Sequence, residues 1–252
     1  MASSNKVYVV TGGNRGLGLG LVKSLLARPA TTVFASVRNE EAAASLQAET
    51  QAVSVGEQSS LHILQLDFSS AVAPEKVAET FNAAAGIDHI DVLICNAGYA
   101  APMVPAALIS AQDLRASFET NTIAPLLVFQ GLWPLLQKST ATPKLINISS
   151  SVGSIGDQEP VPGGAYGPSR AAGNWITRAL HLQHPGLIVV ALHPGWVQTR
   201  AGDFVAQQWG YESGPPETID NSVKGMLEVI DGATREATSG KFITYQGQEL
   251  SW

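Results

Sequence analysis

The feature that most limits how this chain can fold is its rhythm of short apolar runs separated by longer amphipathic stretches. Lys6–Val10, Thr31–Val37, Leu61–Leu66, Ile90–Cys95, Leu145–Ser149 and Leu187–Leu192 are runs of strand length. Most are apolar throughout rather than alternating, as in strands covered on both faces of a parallel sheet. Between them the spacing predicts helices over 17–28, 40–50, 75–85, 111–138, 166–183 and 217–231, and Phe242–Tyr245 suits a last edge strand. Parallel neighbours need a helical crossover, so six strand–helix repeats predict an α/β fold with one open, doubly wound sheet. No composition break, repeat or low-complexity tract interrupts the 252 residues, which read as one domain over 1–252.

Composition then removes whole classes of function. The formal charge is −6 with no basic cluster, which argues against nucleic acid as a partner. With 45% hydrophobic and only 14% charged residues the chain is no disordered polyelectrolyte. Its opening MASSNK lacks a signal-peptide core, and no apolar run nears the ~18 residues of a membrane span. These features predict a cytoplasmic protein that does not enter a membrane. Cys95 is the single cysteine. It excludes an internal disulfide, and among apolar strand neighbours it reads as buried and inert.

Two segments break the rhythm, Gly153–Pro168 with five Gly and three Pro, and Thr199–Pro216 with Phe204, Trp209 and Tyr211. Both follow the carboxyl end of a strand, the edge where open α/β sheets bind ligands. The second, 199–216, reads either as a mobile substrate lid or as an ordinary surface loop.

Thr11-Gly12-Gly13-Asn14-Arg15-Gly16-Leu17-Gly18 lies between the first strand and the first helix. Glycines there let the backbone turn sharply and approach a pyrophosphate. The helix starting near Leu17 turns its unpaired N–H groups and partial positive charge toward that anion. This is the context of a Rossmann-type dinucleotide site. About 20 residues on, an NAD site places a carboxylate for the ribose 2′-hydroxyl, whereas a 2′-phosphate calls for arginine. The second strand ends in Val37-Arg38-Asn39 with no acid, and Arg15 can add a second guanidinium fork. The expected cofactor is therefore NADP(H); the plain alternative for Arg38 is a solvated charge at a strand end.

The glycine turn, Asn96-Ala97-Gly98 after the fourth strand, Ile148-Ser149-Ser150 and Tyr166, in that order, resemble the short-chain dehydrogenase/reductase family from Val7 to Trp252. Within it, Tyr166–Ser169, His193–Thr199 and Gly247–Trp252 resemble the fungal ketoreductases similar to norsolorinic acid ketoreductase. The resemblance implies catalytic roles for Ser150, Tyr166 and Asn121, the last supporting a water-linked proton path. It implies cofactor contacts from Gly12, Asn14, Arg15, Gly16, Leu17, Gly18 and Arg38. Asp67 and Phe68 would border the adenine, and Asn96, Ala97 and Gly98 would line the cofactor. Pro194, Gly195, Val197 and Thr199 would flank the nicotinamide. Such relatives often pair through the two long helices, which implies a homodimer or homotetramer; a monomer stays open.

The chemistry suits these positions. Hydride arriving at a ketone leaves charge on oxygen, to which Ser150 and Tyr166 can donate, and Tyr166 can pass a proton. A free phenol titrates near pH ~10, so a neighbouring cation is needed. The family places a Lys one helical turn after the Tyr; here that position is Arg170. Arg keeps the charge and can hold the ribose, but it stays protonated and is longer and planar. Three accounts follow: ordinary but slower reduction of an aromatic or polyketide-like ketone in secondary metabolism; an NADP-bound non-redox step such as cyclisation, isomerisation or dehydration; or a catalytically impaired cofactor-binding protein. Taken singly, Ser150 could cap a strand end, Tyr166 could start a helix and Asn121 could satisfy buried backbone. Phe204, Trp209 and Tyr211 suggest a flat apolar substrate. His181 and His184 lack the partners of a metal site and suit a helix terminus, while His193 is placed for indirect contact with the site.

Overall fold

In the computed structural model, which describes residues 5–70, 72–83 and 87–252, the apolar runs become one sheet. Strands β1 (Lys6–Thr11), β2 (Thr31–Val37), β3 (Ser60–Gln65), β4 (Val92–Cys95), β5 (Lys144–Ile148), β6 (Ile188–His193) and β7 (Lys241–Thr244) run parallel. A short antiparallel β8 (Glu249–Leu250) closes the edge beside β7. The order β3-β2-β1-β4-β5-β6-β7-β8 reverses between β1 and β4. A crevice opens at such a switch point, and ligands of doubly wound sheets bind there.

Both faces of the sheet are covered, which explains the continuous apolar runs. On β1, Tyr8 and Val10 face a cluster with Leu21, Val22 and Leu25 of α1 (Gly16–Leu26), Leu46 of α2 (Glu40–Thr50) and Met226 and Ile230 of α8 (Ile219–Gly232). Val7 and Val9 face the other cluster, with Val77 and Phe81 of α3 (Pro74–Asn82), Leu132 and Leu136 of α5 (Ala124–Leu136) and Leu180 of α6 (Tyr166–Gln183). Period-two alternation thus serves two cores instead of one core and solvent. Among the described residues no helix is long and apolar enough to cross a membrane.

Three expectations change. The helix expected over 111–138 is α4 (Ala111–Phe118), a π-helical turn at Glu119–Ile123, and α5. Pro125 offers no N–H, so the regular ladder cannot pass through it, and the wide turn brings Asn121 inward. The segment 199–216 is not an irregular loop, because it contains α7 (Arg200–Trp209). Thr199 caps that helix by accepting from the Gly202 amide at 3.1 Å, and Gly210 ends it at φ +66°. β8 has no apolar run to announce it; Gly247, at φ +81°, turns the chain back onto β7. The end of the helix expected over 75–85 falls partly outside the described residues.

Candidate active site

The glycine turn is built by close backbone approach. Gly12 and Gly16 hold φ of +69° and +54°, where a side chain is strained. A Cβ on Gly18 would overlap the Gly12 carbonyl and come within 2.6 Å of the Asn96 amide nitrogen. That amide donates to the Thr11 carbonyl at 2.9 Å and to the Gly12 carbonyl at 3.3 Å. The Thr11 hydroxyl in turn accepts from the Asn96 and Ala97 amides at 2.9 and 3.0 Å. Asn96 therefore ties the end of β4 to the turn. Helix α1 starts after Arg15 with no side-chain cap and no acid in its first turn, whereas α2, α4, α7 and α8 each carry a capping side chain. Its first N–H groups and the glycine surface beside them suit an anion. Asn14 and Leu17 are half-buried in this turn.

Arg15 and Arg38 are exposed beside it. The Asp67 carboxyl is held below the usual carboxylate range, chiefly by the Ser69 amide at 2.9 Å and in smaller part by the Arg38 charge. Arg38 and Asp67 thus share the end of β2 and β3. Phe68 behaves differently: its ring is 7% exposed and packs in the core, with the Thr120 hydroxyl on its carbonyl. Only an edge of that residue is left for an adenine.

Tyr166 opens α6, and Arg170 follows one turn later with its guanidinium 5.0 Å from the Tyr166 ring centroid. Arg170 is 7% exposed, and its Nη1 donates to the Ile148 carbonyl at 2.8 Å. Its Nη2 lies where a Cβ on Gly98 would come within 2.5 Å. Gly98 thus leaves room for the head of Arg170, a requirement invisible in the sequence. Asn121 accepts from the Tyr99 amide at 2.8 Å and donates to the Tyr99 carbonyl at 2.9 Å and the Ser169 hydroxyl at 3.0 Å. Ser169 then donates to the Tyr166 carbonyl at 2.7 Å. The Asn121 side chain is fully engaged in holding the start of α6, which leaves a proton path only its backbone.

Ser150 sits two residues beyond Ile148, its hydroxyl accepting weakly from the Val152 amide at 3.3 Å. Two distant segments fix this loop. His193 accepts from the Ser151 amide at 3.2 Å, and burial pushes its imidazole down to about 4, so it stays a neutral acceptor. The carbonyl of Trp252 receives the Ile155 and Gly156 amides at 3.0 and 2.7 Å, and Ser154 donates to the Ser251 carbonyl at 2.9 Å. His193 had an unspecified part in the sequence reading, and the C-terminal clasp had none.

The next wall comes from the loop after β6. Gly195 takes φ +84° against the Tyr245 ring, and Ser222 donates to the Pro194 carbonyl at 2.6 Å. Tyr245 donates to Glu217 and holds that carboxyl below its usual range. Val197 bridges to Glu217 across the base of the 199–216 segment: the Gln198 amide donates to the Glu217 carbonyl at 2.8 Å, and the Glu217 amide donates to the Trp196 carbonyl at 3.1 Å. The Thr199 methyl lies against Gly16. Trp196 stands 5.5 Å from Trp209 and 5.0 Å from Tyr211, ring to ring, and Trp209 Nε1 donates to the Pro162 carbonyl at 3.0 Å. Phe204 is half-buried on α7. Trp196 was passed over in sequence, although a Trp directly after Gly195 at a strand's carboxyl end was the signal.

The remaining singled-out residues are structural. His181 pairs with the Ser239 hydroxyl at 2.8 Å, and His184 packs edge-on against Trp133 at 4.8 Å. Burial pushes the Cys95 thiol up to about 12.

Comparison with known proteins shows the family and the fold. A family model described as short chain dehydrogenase matches residues 6–209. The chain is 37% identical to the short-chain dehydrogenase RED3 of Pyricularia oryzae, over 99% of this chain and 100% of that one. It is 35% identical to the norsolorinic acid ketoreductase of Aspergillus parasiticus, over 98% and 91%. Among solved structures, an NADPH-bound carbonyl reductase from chicken fatty liver superposes with a TM-score of 0.81 at 31% identity, covering 98% of this chain and 94% of that one. The carbonyl reductase Sniffer of D. melanogaster gives 0.80 at 29%, covering 99% and 100%. This chain belongs to the short-chain dehydrogenase family of oxidoreductases.

Proposed function

We propose that the chain is an NADPH-dependent ketoreductase that converts the carbonyl of an aromatic, polyketide-like small molecule to an alcohol. The observation that carries this reading is the buried Arg170 cation over the Tyr166 ring, anchored on Ile148 two residues before Ser150. The NADPH in the chicken reductase and the ketoreductase name of the Aspergillus relative support it. The uncapped start of α1 and the positive-φ glycine turn at Gly12 and Gly16 fit a pyrophosphate. Arg15 and Arg38 would take the 2′-phosphate, with Asp67 beside the adenine. Pro194, Gly195, Val197 and Thr199 would flank the nicotinamide. When bound, the dinucleotide supplies hydride to the carbonyl carbon.

The chain's own groups do the rest. Ser150 donates a hydrogen bond to the carbonyl oxygen and concentrates positive potential where charge develops. Tyr166 gives its proton to that oxygen, and the phenolate left behind faces the Arg170 charge, which the buried setting strengthens. A proton from solvent then restores Tyr166. Trp196, Trp209 and Tyr211 offer a flat apolar surface for the substrate's rings. Exposed Trp175 and Leu182 on α6, at 71% and 66%, favour pairing of two copies through that helix.

The test is purified protein with NADPH and a panel of aromatic ketones, followed by loss of the reduced-cofactor absorbance and by identification of the alcohol. Turnover with matching alcohol formation supports reduction. Tight NADPH binding with no oxidation by any ketone, together with ring closure, isomerisation or water loss in a polyketide, would replace it with the non-redox reading.

A further inference from the structure

Arg170 does two jobs at once, and only one is accounted for by its visible bonds. Its head is held by the Ile148 carbonyl and lies over Tyr166, but its Nε, inside the protein, has no protein partner. A buried donor on a permanent cation is costly to leave unmet. Arg170 borders a partly open cavity of about 20 Å³ between β5, α6 and the start of α5, and Asn147 of β5 borders the same cavity.

Asn147 presents the complementary shortage. Its Nδ2 donates to the Thr177 hydroxyl at 2.7 Å, and Thr177 passes its own proton to the Gly173 carbonyl at 3.0 Å. That chain fixes which end of the amide is which, because Thr177 can receive only from the nitrogen. Asn147 Oδ1 is therefore an acceptor, also buried and also without a protein partner. Among the described residues the other unmet buried side-chain atoms, on Ser36, Ser117 and Glu119, belong to residues that do not line this cavity. One unmet donor and one unmet acceptor thus belong to residues that border one space with room for about one water, for which ~10–15 Å³ suffices.

We propose that this cavity holds one ordered water that accepts from Arg170 Nε and donates to Asn147 Oδ1, and that Asn147 thereby acts as a positioning residue for the guanidinium over Tyr166. The functional part rests on the reading of Arg170 as the cation serving Tyr166; the water socket does not. Arg170 is then fixed at both ends of its guanidinium, by Ile148 at Nη1 and by the water at Nε. A lysine could not use such a socket, since its charge sits on one terminal nitrogen with no Nε–H midway along the stem.

Two measurements test this. A high-resolution crystal structure of the full chain with NADPH should show density within hydrogen-bond distance of both Arg170 Nε and Asn147 Oδ1. Asn147→Leu, which keeps the branching and removes the acceptor together with the donor to Thr177, should lower kcat about tenfold with little change in NADPH KM, and move the alkaline limb of the pH profile upward. Asn147→Asp, which restores an acceptor, should recover most of the loss. A cavity without that density overturns the socket whether or not the chain reduces ketones. Unchanged kcat and pH profile in Asn147→Leu overturns the positioning role. If the wild type turns over no ketone, the ketoreductase reading fails while the crystallographic arm still decides the socket.

Discussion

The two halves of the site are made differently. Around β1, β2 and β4 the half proposed to hold the cofactor is backbone: glycines at positive φ, a helix start without a cap, and Asn96 and Thr11 bonding main chain across the switch point. Around β5, β6 and the C-terminus the half proposed to receive the substrate is side chain. There Trp196 of the loop after β6 meets Trp209 and Tyr211 of the 199–216 segment, and His193 and Trp252 brace the Ser150 loop. A backbone cradle tolerates no extra atoms and serves one invariant ligand. A side-chain wall can be rebuilt to admit a different substrate while the bond-making groups stay in place.

Substitutions can break or sharpen that contrast, and the largest effect is expected in the backbone half. Gly18→Ala forces a Cβ into the Gly12 carbonyl, a clash with main chain that cannot rotate away. It should weaken NADPH binding by about 3 kcal/mol, the upper end of ordinary overpacking, as read by cofactor titration. An unchanged affinity would show that the turn is looser than its geometry.

Acid should act next, and on the other half. His193 has its folded value lowered to about 4 by burial, against ~6.5 in the unfolded chain. The unfolded state therefore binds the extra proton between these values. Stability is whole above pH ~6.5 and is lost as pH falls toward ~4, by up to about 3 kcal/mol. Urea unfolding across that range should show the decline, and His193→Asn should flatten it.

Arg38→Ala sharpens the cofactor half: NADPH affinity should fall by about 2 kcal/mol, as for a charged hydrogen bond, while NADH affinity barely moves. Equal losses would remove Arg38 from the 2′-phosphate. The smallest effect is expected for Trp209→Phe, which keeps the ring and loses the bond to Pro162. KM for a bulky aromatic ketone should rise by about 1 kcal/mol equivalent, with that for NADPH unchanged.

The same contrast explains what could be read in advance. Strand runs and the glycine turn were legible because their constraints are local: period and positive φ. The spans of β2, α2 and α6 follow from such patterns at 31–37, 40–50 and 166–183. The π turn was hidden because Pro125 at a helix start is permitted by local rules, and only the buried Asn121 shows what the wider turn accomplishes. α7 was hidden among Gly and Pro, although Thr199 and Gly210 were its caps. Gly98 making room for Arg170, Asn147 bordering the same cavity, and Trp252 holding the Ile155 amide join residues far apart in sequence. No local pattern carries such pairings.

The proposed reduction turns on a proton leaving one phenol. Tyr166→Phe removes the hydroxyl and keeps the ring under Arg170. With an aromatic ketone accepted by the wild type, kcat should fall about 1000-fold, within the range of a positioned acid, while NADPH affinity stays within about twofold. A Tyr166→Phe protein that reduces the same ketone at the wild-type rate would contradict the mechanism outright.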